Sequence, residues 1–118
     1  RNANYYKTLI QKLGLTDKVN LPVTNSGCYH IYNQFVIRVK KRDELKKFLH
    51  AREIGCAIYY PLPLHKQPCF SNWNCQNDDL PECSQASLET LALPVFPELS
   101  DQQKDYVVNA IKDFIQKD

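Results

Sequence analysis

Ile54-Gly55-Cys56-Ala57-Ile58-Tyr59-Tyr60-Pro61-Leu62-Pro63-Leu64-His65-Lys66-Gln67-Pro68-Cys69-Phe70 opens as a β-branched and aromatic run and ends among prolines. The first part, Cys56 to Tyr60, suits a buried strand. Pro61, Pro63 and Pro68 then fix φ and remove backbone donors, so regular structure stops there. Tyr59, Tyr60, His65 and Gln67 place hydrogen-bonding tips among those prolines. A stiff, polar-tipped loop leaving the end of a strand is half of a binding site on a firm support. The rest of the chain reads as the frame that holds it.

Upstream, Asp43 to Glu53 has helical spacing, with Leu45, Phe48 and Leu49 on one face, acidic residues near its start and Gly55 as its stop. Before it, Cys28 to Val39 alternates as a strand, and the break at Asn33-Gln34 predicts a bulge. Tyr29, Ile31, Phe35 and Ile37 are its expected core positions. At the start, Tyr5, Tyr6, Leu9, Ile10 and Leu13 recur at helical spacing up to Gly14, a helix stop. Leu15 to Gly27 is irregular.

Downstream of the prolines, Phe70 to Asp79 is polar, with Trp73 as its large apolar anchor. Pro81 suits the first turn of a helix running to about Leu91, with Leu88 and Leu91 inward. Pro94 and Pro97 confine Leu91 to Phe96 to a sheet edge. Ser100 and Gln103 have the spacing of a capping box, and Tyr106, Val107, Ile111, Phe114 and Ile115 stripe the helix that follows. The expected fold is α+β: a small, mostly antiparallel sheet of three or four strands covered by helices.

At 118 residues the chain is one domain, with 43% hydrophobic and 24% charged content. A formal charge of +2 is too small to argue for nucleic acid or an anionic membrane. The basic cluster Lys40-Lys41-Arg42 reads as a solvated strand end. No apolar run approaches the ~20 residues of a membrane span, and with no apolar segment after Arg1 a signal peptide is not expected. Met is absent and Arg1 falls inside a running helical pattern, so the sequence is expected to be a fragment.

The five cysteines, Cys28, Cys56, Cys69, Cys75 and Cys83, read as free thiols in a reducing, cytoplasmic setting. His65, Cys69, Cys75 and Cys83 carry the right atoms for zinc but match no common zinc spacing, so unrelated thiols are the preferred reading. There is no Gly-rich phosphate loop, no paired-carboxylate motif and no Ser or Cys beside a recognisable base. Composition and spacing stop at an α+β domain with one polar loop.

The motifs carry the reading further. Tyr60-Pro61-Leu62-Pro63-Leu64-His65-Lys66-Gln67-Pro68 resembles the Tyr-Pro-x-Pro-Leu-His-x-Gln-Pro segment of the DegT/DnrJ/EryC1/StrS sugar aminotransferases. His30-Ile31-Tyr32-Asn33-Gln34 is similar to the family's His-x-Tyr-x-Gln strand. Arg42-Asp43-Glu44-Leu45 with Glu53-Ile54-Gly55 resembles its Arg-Asp-x-Leu…Gly-Ile-Gly helix and turn, Glu53 standing where many members have Gly. Leu91-Ala92-Leu93-Pro94-Val95-Phe96-Pro97-Glu98-Leu99 resembles its Leu-Ser-Leu-Pro-x-Phe-Pro-Glu-Leu. The four stand in the family's order over nearly the whole chain, and they match its C-terminal third.

The resemblance implies the small domain of a type I fold enzyme that uses pyridoxal 5′-phosphate to aminate a nucleotide-linked keto-sugar, with glutamate or glutamine as donor. The Schiff-base lysine and most cofactor contacts belong to a large domain outside this sequence. No lysine here matches that motif, and the chain alone is expected to hold no cofactor and to be inactive. The partners implied are that large domain of the same polypeptide, a second copy in a homodimer, and the nucleotide-sugar. The substrate-side residues implied are His30, Tyr32, Asn33 and Gln34 on the bulged strand, and Tyr60 and His65 on the proline loop. His30 and Tyr32 alternatively hydrogen-bond only locally. Tyr59 departs from the pattern, which commonly has His there, so no His-specific contact carries over to that position. Alternatives are a dehydratase relative with histidine for the lysine, or a stand-alone ligand-binding or regulatory module.

Overall fold

The computed structural model describes residues 1–72 and 80–117; Trp73 and Cys75 lie outside them. Helix α1 (Asn2–Lys12) is followed by strand β1 (Phe35–Arg38), α2 (Arg42–His50), α3 (Pro81–Glu89), β2 (Thr90–Leu93) and α4 (Asp101–Gln116). Two short 3₁₀ turns, Leu64–Lys66 and Pro68–Phe70, occupy the proline loop.

The sheet is narrower than its sequence suggests. β1 and β2 pair antiparallel, with Phe35 opposite Leu93 and Ile37 opposite Leu91. Single-residue bridges extend it on both sides: Asn20 pairs with Arg38, and Ala57 with Ala92. The expected three or four strands are therefore two strands and two bridges. Prolines explain both edges. Beyond Asn20 the next hydrogen-bonding position on that edge is Pro22, and the position opposite Gly55 on β2's side is Pro94; neither has an N–H to donate. The expected strand Cys56–Tyr60 is correspondingly reduced to the one bridge.

The expected strand Cys28–Val39 is likewise cut to its second half. Continuing the β1–β2 register would place Ile31 opposite Pro97, which offers no donor. The chain bends at Asn33–Gln34, and Tyr32 takes φ 52°. Phe35 and Ile37 are buried as expected, whereas Tyr29 is 91% and Ile31 77% exposed.

The helices cover the sheet through one core. Tyr6 and Ile10 of α1, Leu45 and Leu49 of α2, and Val107, Val108 and Ile111 of α4 join Phe35, Ile37, Leu91 and Leu93. α4 packs on both α1 and α2, while α2 also meets β2 and α3 meets β1. The Ser100–Gln103 capping box forms in both directions. Pro81 takes the first turn of α3 as expected. α3 ends at Glu89, though, so Leu91 turns inward as a strand residue while Leu88 stays exposed.

Helices α1 and α2 end alike. Leu15 N–H donates to Ile10 O and Gly14 N–H to Gln11 O; Ile54 N–H donates to Leu49 O and Glu53 N–H to His50 O. Both are Schellman ends, with an apolar pair (Ile10/Leu15, Leu49/Ile54) buried across the turn. The left-handed residue is Gly14 at φ 66° in one and Glu53 at φ 59° in the other. The stop of α2 is thus Glu53, two residues before the expected Gly55.

Two charged residues enter the interior. Arg42, expected in a solvated cluster, is only 4% exposed; its guanidinium donates to Thr90 O at 2.9 Å and to Asp43 at 2.7 Å. Lys104 is fully buried. Its Nζ meets Asp101 at 2.7 Å, Asn2 Oδ1 at 2.9 Å and Leu99 O at 3.3 Å, which occupies all three of its donors. Those contacts tie the start of α4 to the start of α1.

Candidate functional site

The segment from Cys28 to Gln34 forms an arm outside the core, and it carries His30 and Tyr32 in a defined pose. Their rings stack at 4.0 Å between centroids and 16° between planes. Tyr32 N–H donates to His30 Nδ1 at 2.9 Å, so the neutral imidazole carries its proton on Nε2. The Tyr32 hydroxyl accepts from Lys7 Nζ of α1 at 2.7 Å and lies 3.3 Å from Thr24 Oγ1. The Lys7 ammonium, helped by Thr24, pulls the Tyr32 phenol below the ordinary tyrosine range against a small opposing effect of burial. On its inner side the Tyr32 ring meets Phe35 at 6.1 Å, which joins the arm to the core.

His30, Tyr32 and Asn33 face a shared open cleft of about 550 Å³, bounded across from the arm by the start of α1 and by Phe96. The lining contains donors and acceptors from Asn2, Asn4 and Thr24 and has no carboxylate. Asn33 and Gln34 also edge a second depression of about 360 Å³, whose far side includes Tyr59 and Ala57. Asn33 and Gln34 stay together at the bend: with His30 they also line a third depression, of about 380 Å³, beside Pro22 and Val36.

The proline loop is arranged differently from its expected reading. Tyr60 is 71% exposed and meets Tyr59 edge-on at 5.7 Å, across a cis peptide bond. His65 is turned inward and is 9% exposed, whereas the apolar Leu64 beside it is 72% exposed. Tyr60 and His65 line none of the depressions that hold the arm residues. The structure thus groups His30, Tyr32 and Asn33, places Gln34 next to them, and leaves Tyr60 and His65 apart. Sequence reading missed Lys7 and Thr24, because no period or motif links a helix lysine to a tyrosine 25 positions on.

A pyridoxal phosphate holder can be tested against the lysines. Lys104 is the one buried lysine among the described residues, and its donors are already taken. The others are exposed or half-exposed, Lys7 being engaged with Tyr32. Among the described residues, then, no lysine is both buried and uncommitted. Among them no three of His, Cys, Asp and Glu gather to hold a metal ion; of the four zinc candidates, Cys75 is outside the description. Cys28, Cys56, Cys69 and Cys83 are free thiols, and burial pushes the Cys56 thiol up. No described helix is long and apolar enough to cross a membrane.

Known proteins match both the sequence and the overall fold. A pleiotropic regulatory protein of Geobacillus stearothermophilus is 44% identical over 95% of this chain and 30% of its own length. A UDP-N-acetyl-3-dehydro-alpha-D-glucosamine 3-aminotransferase of Acidithiobacillus ferrooxidans is 34% identical over 95% of the chain and 29% of its own length. The crystal structure of S. venezuelae DesV, in complex with a ketimine intermediate, superposes with a TM-score of 0.86 at 27% identity, over 97% of this chain and 31% of that one. The chain thus spans less than a third of the relatives it matches. The model of the DegT/DnrJ/EryC1/StrS aminotransferase family matches residues 1–112, and the chain belongs to that family.

Proposed function

We propose that this chain is the small domain of a longer aminotransferase that uses pyridoxal 5′-phosphate to move an amino group from glutamate or glutamine onto a nucleotide-linked keto-sugar. The observation that carries this reading is the His30–Tyr32 pair, held in one pose outside the core on a chain that belongs to a sugar aminotransferase family. The cofactor, bound by a complementary domain, supplies the electron sink for the amino transfer. The part left to these residues is substrate positioning. His30 offers an Nε2–H donor, Asn33 and Gln34 offer amides, and the carboxylate-free cleft tolerates the phosphates of a nucleotide-sugar. Tyr60 is exposed enough to add a hydroxyl from a second side, and His65 would have to turn outward to join it.

The reading frame preceding Arg1 in the parent gene tests this directly. The expected outcome is a large domain with a lysine in a Ser-Phe-x-x-x-Lys context, and a purified parent that aminates a keto-sugar nucleotide while the 118-residue chain alone does not. Histidine in place of that lysine would make the parent a dehydratase relative, and no such domain would overturn the proposal. In the active parent, His30→Ala and Tyr32→Phe are expected to raise KM for the sugar nucleotide. A second reading, a regulatory or ligand-binding module, is favoured by the 44% identity to a protein named for regulation. Tight binding of a nucleotide-sugar by the chain alone, with no longer gene product, would select it.

A further inference from the structure

The arm is held in a costly conformation with little packing to hold it. Tyr32 takes φ 52°, a region that L residues other than Asn and Asp seldom adopt. Its neighbours Tyr29 and Ile31 contribute no burial, since both are largely exposed. What fixes Tyr32 is its ring contact with Phe35 and the two partners of its hydroxyl, Lys7 Nζ and Thr24 Oγ1. Tyr32 in turn fixes His30 twice, by stacking on the imidazole and by donating its amide to Nδ1. The imidazole tautomer therefore depends on the Tyr32 backbone staying in this pose.

We propose that Lys7 is a positioning residue for the substrate side: its hydrogen bond to the Tyr32 hydroxyl locks the Tyr32–His30 stack, and so keeps His30 as an Nε2–H donor. Lys7 is well suited to this. It projects from α1, whose Tyr6 and Ile10 anchor the helix in the core, so its ammonium is referred to a rigid element. It bonds a neutral hydroxyl through a charged donor, the stronger kind of hydrogen bond. Lys7 touches neither the imidazole nor the reacting atoms in this scheme; it acts through Tyr32. The catalytic consequence rests on the substrate-side reading of His30 given above, but the positioning itself does not.

The test uses the 118-residue chain, with ¹⁵N-histidine and ¹³C-tyrosine labels and NMR detection. In Lys7→Met the Tyr32 phenol should titrate closer to an ordinary tyrosine, and the separation between the His30 Nδ1 and Nε2 signals should collapse toward that of a mobile imidazole. Lys7→Arg should restore both. Tyr32→Phe should reproduce the His30 change, and adding Lys7→Met to it should change nothing more. Unaltered His30 signals in a folded Lys7→Met variant, or in Tyr32→Phe, would overturn the proposal. In the longer enzyme, Lys7→Met should raise KM for the sugar nucleotide about tenfold, the scale of one misplaced hydrogen bond, with kcat little changed. If His30→Ala raises KM and Lys7→Met does not, the positioning role fails. If His30→Ala leaves KM alone, the substrate-side reading fails, and the NMR comparison still decides the role of Lys7.

Discussion

Cys28–Gln34 and Phe35–Val39 are consecutive and read together as one strand with apolar residues on a shared face, yet one is an exposed arm and the other is the centre of the fold. Phe35 and Ile37 are fully buried; Tyr29 and Ile31 are 91% and 77% exposed. The difference lies opposite them in the register. Leu93 and Leu91 face the buried pair with full backbone pairing, and the rung that Ile31 would need falls on Pro97. Alternation identifies an apolar face; whether that face becomes a strand is decided by the donors available across from it.

The largest expected effect breaks this comparison if it fails. Phe35→Ala removes a buried ring in contact with Tyr6 at 5.1 Å and should lower the unfolding free energy by about 3–5 kcal/mol. Ile31→Ala, four residues earlier, should stay within about 0.5 kcal/mol in the same denaturant titration. Equal losses would mean that the arm is packed in solution after all.

The two tyrosines flanking Phe35 sharpen the contrast through pH. Tyr6 is buried, its hydroxyl donates to Pro94 O at 2.9 Å, and burial pushes its phenol far above the ordinary range. A raised folded-state value gives stability that is fully present below the unfolded value of about 10 and is lost as pH rises from there toward the folded value. Tyr32 has the opposite sign: its lowered value gives stability that is present above about pH 10 and fades as pH falls through the folded value. Tyr6→Phe should therefore cost about 1 kcal/mol at neutral pH through the lost hydrogen bond and flatten the alkaline loss. Tyr32→Phe should instead leave the alkaline loss in place and steepen it, and thermal melts between pH 7 and about 11 distinguish the two. An alkaline loss that survives Tyr6→Phe would assign it to another group, the raised Tyr5 phenol beside Asp105 being the next candidate.

How much of this was legible depended on how local the cause was. The stop at Gly14, the Ser100–Gln103 box and the start at Pro81 are each fixed within four residues, and the sequence displays them. The family's motifs were legible for a similar reason, because each is a contiguous string. Arg42 and Lys104 were not, since a charge is buried only where distant partners receive it: Thr90 O for Arg42, and Asn2, 102 positions away, for Lys104. The site divides in the same way. His30 and Tyr32 lie two residues apart and stand out as a motif, while Lys7 and Thr24, which hold Tyr32, come from elements that only the fold brings together.

The smallest expected effect asks whether the strain at Tyr32 has a use. Tyr32 and Glu53 are the two non-glycine residues with positive φ among the described residues. At Tyr32 the side chain stacks, bonds and packs, so replacing it would remove the pose that the conformation supports. At Glu53 the side chain is exposed, and the Schellman end of α2 uses only its backbone N–H. Gly14, in the same slot of α1, shows what that geometry prefers. Glu53→Gly should therefore raise stability by about 0.5–1 kcal/mol, the relief of a left-handed residue less the greater entropy of glycine in the unfolded chain. Gly14→Ala should lower it by a similar amount, through strain alone, since a Cβ there meets nothing within 4 Å. If Glu53→Gly is instead destabilising, the glutamate side chain has a partner in solution. The strain at Glu53 would then be held for a purpose, as the strain at Tyr32 is.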